Sequence, residues 1–286
     1  MPYAADGMLN GFEVFDVHHH VGDASAVLGA TVALTDSGAT QPEDIAAEEL
    51  SHRLAIMDAG GVDWAAVIPG HGYHRPNGLA DTRRINDAIA AYRDANPSRF
   101  PVAIGVIEPA YGPHSVPEID RIADELHLAG VSFHVRFQGV SLDNQWIRTY
   151  LARIIERGLV PVIHAVPETS ENPQWKVAAI ARAFPETPML VLDAFGSHES
   201  TKECFHTADI APNLLFDTSL AYGFELIEQF ARAHGPERVV FGTDLYSWPL
   251  GRRISRLLPE ICESSLDDEA KRAIVAGNAR RLFSAP

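Results

Sequence analysis

The sequence predicts an α/β protein of the (β/α)8 TIM-barrel type. A short apolar run followed by an amphipathic stretch recurs eight times along the 286 residues, which is the alternation of strand and helix. The runs are apolar at consecutive positions, as in Met189-Leu190-Val191-Leu192. That pattern suits parallel strands covered on both faces. No low-complexity linker or short repeat divides the chain, so a single barrel domain over 1–286 is expected. The alternative is an open doubly wound sheet. A nucleotide-binding member of that class needs a Gly-rich turn after its first strand, and His18-His19-His20-Val21-Gly22 is not one.

The elements follow in order. Strand 1 is expected over Phe12–His18, and a loop of small residues, about 22–41, lies near the active-site mouth. Pro42 opens a helix with Ile45, Leu50, Leu54 and Met57 on its core face, and Gly60-Gly61 closes it. Strand 2 is Trp64–Ile68, and its loop carries His71, Tyr73 and His74. The second helix shows Ile85, Ala88, Ile89 and Tyr92 at i, i+3, i+4, i+7, and Asn96-Pro97 stops it. Strand 3 is Pro101–Ile107, followed by Ile119, Ile122, Ala123 and Leu126 at helical spacing. Strand 4 is Val131–Phe137, and its helix repeats the spacing with Ile147, Tyr150, Leu151 and Ile154. Strand 5 is Val160–His164, with Val177, Ile180, Ala181 and Phe184 on the next helix. Strand 6 is Met189–Asp193, then a helical stretch around Ser200–Ala208. Strand 7 is Leu214–Thr218, with a helix through Ile227 and Phe230; strand 8 is Val239–Thr243. Helices near Gly251–Cys262 and Asp268–Phe283 end the order.

Composition narrows the function classes. The formal net charge of −15 disfavours nucleic acid and anionic membrane as partners. No apolar run is long enough to span a bilayer. The two cysteines, Cys204 and Cys262, make no disulfide framework, and Met1–Asn10 lacks a basic segment before an apolar run, so a cytoplasmic location is expected.

In a barrel of this kind the active site lies at the C-terminal ends of the strands. Those ends carry His18 and His20 on strand 1, His134 and Arg136 on strand 4, His164 on strand 5, Asp193 on strand 6 and Asp244 on strand 8. Side chains alternate along a strand, so His18 and His20 share a face and His19 takes the other. His19 is accordingly expected to be structural. Imidazoles with a carboxylate suit Zn²⁺ or another borderline divalent ion.

Several short motifs resemble the amidohydrolase superfamily, in its amidohydrolase-related branch with aminocarboxymuconate-semialdehyde decarboxylase and similar enzymes. They are Asp16-Val17-His18-His19-His20, Ala59-Gly60-Gly61-Val62-Asp63, Pro161-Val162-Ile163-His164, Phe241-Gly242-Thr243-Asp244 and Gly277-Asn278-Ala279-Arg280-Arg281-Leu282-Phe283, spread over almost the whole chain. The resemblance implies one divalent ion on His18, His20, His164 and Asp244, Zn²⁺ first, with Mn²⁺ or Fe²⁺ as alternatives. It also implies a hydrolase or non-oxidative decarboxylase acting on a small, carboxylated molecule, with Asp244 exchanging a proton with a bound water. Relatives often carry a His after the strand-6 Asp, where this chain has Ala194 in Asp193-Ala194-Phe195-Gly196. They also carry a strand-4 Lys in binuclear members, which is absent. Both departures favour a single ion.

Around this centre Arg136 is the candidate clamp for a substrate carboxylate, by its planar fork. His134, His71 and Trp248 are candidate pocket residues. His198, His134 and His71, in that order, are the candidates to replace the missing strand-6 acid; the plain alternative for His198 is a surface helix start. Asn278 and Arg280 are expected to be structural. The assembly expected is a homo-oligomer. The alternatives are a metal-holding, catalytically weak subunit in a hetero-oligomer with an active homologous chain, and an iron or manganese redox enzyme on the same ligands.

Overall fold

Eight parallel strands form one sheet in strict sequence order, each pairing with the next. They are β1 (Phe15–Val21), β2 (Trp64–Pro69), β3 (Val102–Val106), β4 (Gly130–Phe133), β5 (Val160–His164), β6 (Met189–Leu192), β7 (Leu214–Asp217) and β8 (Val239–Val240). The structure, a computed structural model, describes residues 11–22, 42–70, 77–166, 169–246 and 257–284. The expected loop at 22–41 (Gly22 apart), His71, Tyr73, His74 and Trp248 lie outside them.

The sheet closes on itself through the residues beyond β8. Val17 N–H donates to Phe241 O at 3.0 Å, Leu245 N–H to His18 O at 3.1 Å, and His20 N–H to Leu245 O at 2.7 Å. A parallel bridge joins His19 to Leu245. The result is the barrel that the sequence predicts.

Helices alternate with the strands: α1 (Pro42–Gly60), α2 (Leu79–Ala95), α3 (Val116–Asp124), α4 (Gln145–Glu156), α5 (Gln174–Ala181), α6 (His198–Ile210) and α7 (Glu225–His234). After β8 come α8 (Leu257–Glu263), α9 (Asp268–Arg272) and α10 (Asn278–Phe283). A π-helical turn, Ala273–Gly277, joins the last two. Phe241 N–H donates to Ile274 O of this turn at 3.0 Å, so the widened turn ties the chain end to the closing seam.

Two apolar layers explain the unbroken apolar runs. Ala66 and Ile68 of β2 and Leu190 and Leu192 of β6 point into the barrel, with Phe15, Val17, Ile104, Val162 and Val240. Their neighbours Ala65, Val67, Met189 and Val191 point outward beneath the helices. Both faces of each strand are therefore dry. On α4, Ile147, Tyr150, Leu151 and Ile154 are all buried. Each such side chain contributes about 1.5–3 kcal/mol of burial.

Strand ends differ from expectation at functional positions. β4 stops at Phe133 instead of 137, because the chain turns: Phe137 N–H donates to His134 O, and the Gln138 side chain accepts from His134 N–H at 3.1 Å. β1 runs on past His18 to Val21, paired with β2 on one side and the Leu245 seam on the other. β8 has two residues instead of five, and beyond it Asp244 takes a left-handed backbone with φ 57°.

Candidate metal centre

Each of three histidines is fixed from behind. His18 Nδ1–H donates to Asp217 Oδ2 at 2.8 Å, His20 Nδ1–H to Pro69 O at 3.1 Å, and His164 Nδ1–H to Phe133 O at 3.0 Å. A proton on Nδ1 leaves the Nε2 lone pair facing the other way. The backbone is held as well: the Asn172 side-chain amide donates to His164 O at 2.7 Å, and Arg53 to His20 O at 2.7 Å.

The three imidazoles turn toward one point. Ligand-competent atoms of His18, His20 and His164 lie within 4.8 Å of one another, and so do those of His134, His164 and Asp193, and of His18, Asp193 and Asp244. All six side chains are buried. His18 Nε2 and His20 Nε2 face each other at 2.9 Å, and Asp244 Oδ1 is 3.4 Å from the first and 3.5 Å from the second. An ion about 2.0–2.1 Å from imidazole nitrogens places neighbouring ligands about 3.0–3.4 Å apart. The donor set and its spacing thus fit a divalent cation.

Both carboxylates arrive through unusual backbone. Asp193 has φ 67° and Asp244 φ 57°, a region that Asp tolerates better than most residues. Each turns off the end of its strand and brings its carboxylate to the cluster. Asp193 is further held through its N–H, which donates to Asp217 Oδ1 at 3.0 Å and to the Ser219 hydroxyl oxygen at 3.1 Å.

Electrostatics follow burial. Burial pushes His20 and His164 well below the usual imidazole range, and the neighbouring histidines add to it. His134 falls to about 3, chiefly by burial. His18 goes the opposite way: burial opposes its charge, but the carboxylates of Asp244, Asp217 and Asp193 outweigh it and raise it to about 10. Three carboxylates around one imidazole make a site that favours positive charge, which a proton or a metal cation can supply.

The other sequence candidates fall in different places. His19 points away and pairs with Asp16 Oδ2 at 2.9 Å behind the site. Arg136 is exposed in the turn after β4, with its guanidinium over Phe137 at 5.3 Å, and Phe137 in turn lies against His134 at 4.3 Å. His198 is exposed at the first residue of α6. Ala194 is buried in the outer apolar layer. At the end of β6 it is Asp193, one residue earlier, that joins the cluster.

Sequence reasoning passed over Asp217, Asn172 and Tyr246. Asp217 ends the run Leu214-Leu215-Phe216 as His164 and Asp193 end theirs, and that shared position was a usable signal. Tyr246 lies with its ring tilted against His20, ring centres 4.7 Å apart. It follows Asp244 by two residues but belongs to no strand pattern.

Comparison with known proteins agrees with this fold. The amidohydrolase family model matches residues 15–285. No curated protein matches the chain. Among solved structures, 5-carboxyvanillate decarboxylase from Sphingomonas paucimobilis is similar at 17% identity and TM-score 0.71, over 96% of this chain and 100% of that one. The 5-carboxyvanillate decarboxylase of Novosphingobium aromaticivorans, complexed with manganese and 4-hydroxy-3-methoxy-5-nitrobenzoic acid, matches at 16% and 0.71, over 99% and 98%. The 2,6-dihydroxybenzoate decarboxylase from Rhizobium matches at 16% and 0.63, over 96% and 99%. At these identities the likeness is one of fold.

Proposed function

The chain belongs to the amidohydrolase family, and we propose that it is a metal-dependent non-oxidative decarboxylase of a small carboxylated molecule, with one divalent ion on His18, His20, His164 and Asp244. The observation that carries this reading is the convergence of His18, His20 and His164, each with Nδ1 already engaged, on a point that Asp244 also reaches. Decarboxylation is favoured over hydrolysis because the similar folds include decarboxylases of 5-carboxyvanillate and 2,6-dihydroxybenzoate. Those names also motivate a hydroxylated aromatic acid as the substrate class. Zn²⁺ suits the imidazole count, and manganese is the ion in the Novosphingobium complex.

A divalent ion at this centre supplies a Lewis acid for a substrate oxygen. The chain's own groups do the rest. In the reaction the bond to the carboxylate carbon breaks, CO₂ leaves, and the electron pair left on the ring carbon takes a proton. Asp244 and Asp193 are the buried carboxyl groups placed to hold and pass that proton. His134, held neutral by burial, hydrogen-bonds to substrate beside them. Asp244 and Asp193 take the role that the sequence offers first to His198, because they lie in the cluster and His198 is exposed. Arg136 on the rim draws in the carboxylate, and the Tyr246 ring lines the His20 side.

The test is turnover in D₂O by protein loaded with Mn²⁺ or Zn²⁺, with a panel of hydroxybenzoic acids and a panel of esters, lactones and amides. Release of CO₂ with one deuterium on the product carbon supports decarboxylation. Incorporation of solvent oxygen without CO₂ makes the enzyme a hydrolase. Elemental analysis showing no bound divalent ion, with no turnover, sinks both.

A further inference from the structure

One carboxylate behind the centre has no role in the reaction above, yet three hydrogen bonds converge on it. Asp217 is fully buried. Its Oδ2 accepts from His18 Nδ1–H at 2.8 Å, and its Oδ1 accepts from Asp193 N–H at 3.0 Å and from the Ser219 hydroxyl at 2.7 Å. Three separate segments, β1, the end of β6 and the end of β7, thus meet on a single side chain.

The chain leaves space for this contact. A Cβ on Gly242 would stand 2.5 Å from Asp217 Oδ2 and 3.2 Å from His18 Cβ. Only glycine lets the carboxylate and the imidazole meet across the closing seam. Gly242 N–H and carbonyl both bond the Thr218 hydroxyl, at 3.1 and 3.0 Å, so the residue next to Asp217 pins the glycine in place.

We propose that Asp217 is the positioning residue of the centre: it fixes the His18 imidazole with Nε2 inward and, through the Asp193 N–H, holds the second carboxylate at the mouth. This rests on the metal reading above and adds a specific dependence to it. His20 Nδ1 donates to a backbone carbonyl, Pro69 O, and His164 Nδ1 to Phe133 O at 3.0 Å with the Ser132 hydroxyl farther off at 3.4 Å. His18 Nδ1 instead donates to a carboxylate, at 2.8 Å. A single conservative change at Asp217 can therefore undo its ligand geometry. An amide at position 217 can donate to Nδ1 and so favour the tautomer with the proton on Nε2, the wrong face for a ligand.

The experiment compares wild type, Asp217→Asn and Gly242→Ala. Zn²⁺ and Mn²⁺ affinity is measured by chelator competition, and the His18 Nδ1 proton is followed by NMR, assigned by its loss in His18→Gln. Wild type should show a strongly downfield Nδ1 proton, the mark of its bond to a carboxylate. Asp217→Asn should lose that resonance and bind metal about 10–100-fold more weakly. Gly242→Ala, which leaves both partners intact and wedges them apart, should reproduce the effect. Unchanged affinity and an unchanged resonance in both variants overturn the proposal. If Asp217→Asn does not fold by circular dichroism, Gly242→Ala and Ser219→Ala decide, the latter with a smaller loss. If wild type binds neither ion, the metal reading fails, and the Nδ1 resonance alone still decides whether Asp217 orients His18.

Discussion

At the scale of the residue, what distinguishes this centre is where protons are parked. Nδ1 of His18, His20 and His164 each has an oxygen to donate to, so three Nε2 atoms face one another in a buried space. The carboxylates around His18 favour positive charge there, held as a proton on His18 or as a cation shared by the three. His18→Ala with His20→Ala should therefore abolish metal content, from about one ion per chain to none by elemental analysis, while circular dichroism stays that of a folded barrel. Retention of one ion per chain would refute the ligand assignment. Arg136 tests the anionic substrate. Arg136→Lys keeps the charge and loses the two-pronged fork, so KM for a carboxylated substrate should rise several-fold with kcat little changed. An unaltered KM would remove Arg136 from the site.

At the scale of the element, strands are short, and the residues just past them do the work. β4 and β8 end early, and the turns that follow carry His134 and Asp244. The last helix secures the seam from outside. Asn278 is buried, and its side-chain amide donates to Pro236 O at 2.8 Å and Val239 O at 2.7 Å. Arg280 lies over the Trp64 ring at 4.5 Å and pairs with Glu13 at 3.0 Å. Both match their expected structural role. Asn278→Ala leaves two carbonyls without this donor and should cost about 1–3 kcal/mol, read as a lower denaturant midpoint with metal content unchanged. A loss of metal at unchanged stability would instead place Asn278 in the function of the site.

At the scale of the whole molecule, ion binding and folding are linked. The candidate ligands come from β1, β5 and the segment after β8, so the centre exists only when the barrel is closed. An ion present at about 100 times its Kd adds about 2.7 kcal/mol to stability, which in a chain of this length is about 4–6 °C in Tm. Chelation should lower Tm by that amount, and re-addition of Zn²⁺ or Mn²⁺ should restore it. A Tm indifferent to chelator would argue against a resident ion. The described helices include none long and apolar enough to cross a membrane.

The order of elements was legible in the sequence because it is written in local periodicity. Consecutive apolar residues such as Met189–Leu192 mark strands dry on both faces, and Ile147, Tyr150, Leu151 and Ile154 mark one buried helix stripe. The candidate histidines were legible for a similar reason: alternation puts His18 and His20 on one face of one strand, and His164 closes another. What tertiary structure alone decided depends on contacts between distant segments. Asp217 reaches His18 across 199 positions of sequence, and no local pattern encodes such a pairing. The early end of β4 comes from a side-chain cap by Gln138, and the turn of Asp193 and Asp244 into the mouth comes from left-handed backbone. Strand position already puts Asp193 at the mouth, while the family resemblance looks for a second group at Ala194. The fold packs that methyl group in the outer layer and brings the Asp193 carboxylate into the cluster, because the direction of a side chain past a strand end is set by the backbone dihedral angles there and not by the alternation that governs the strand.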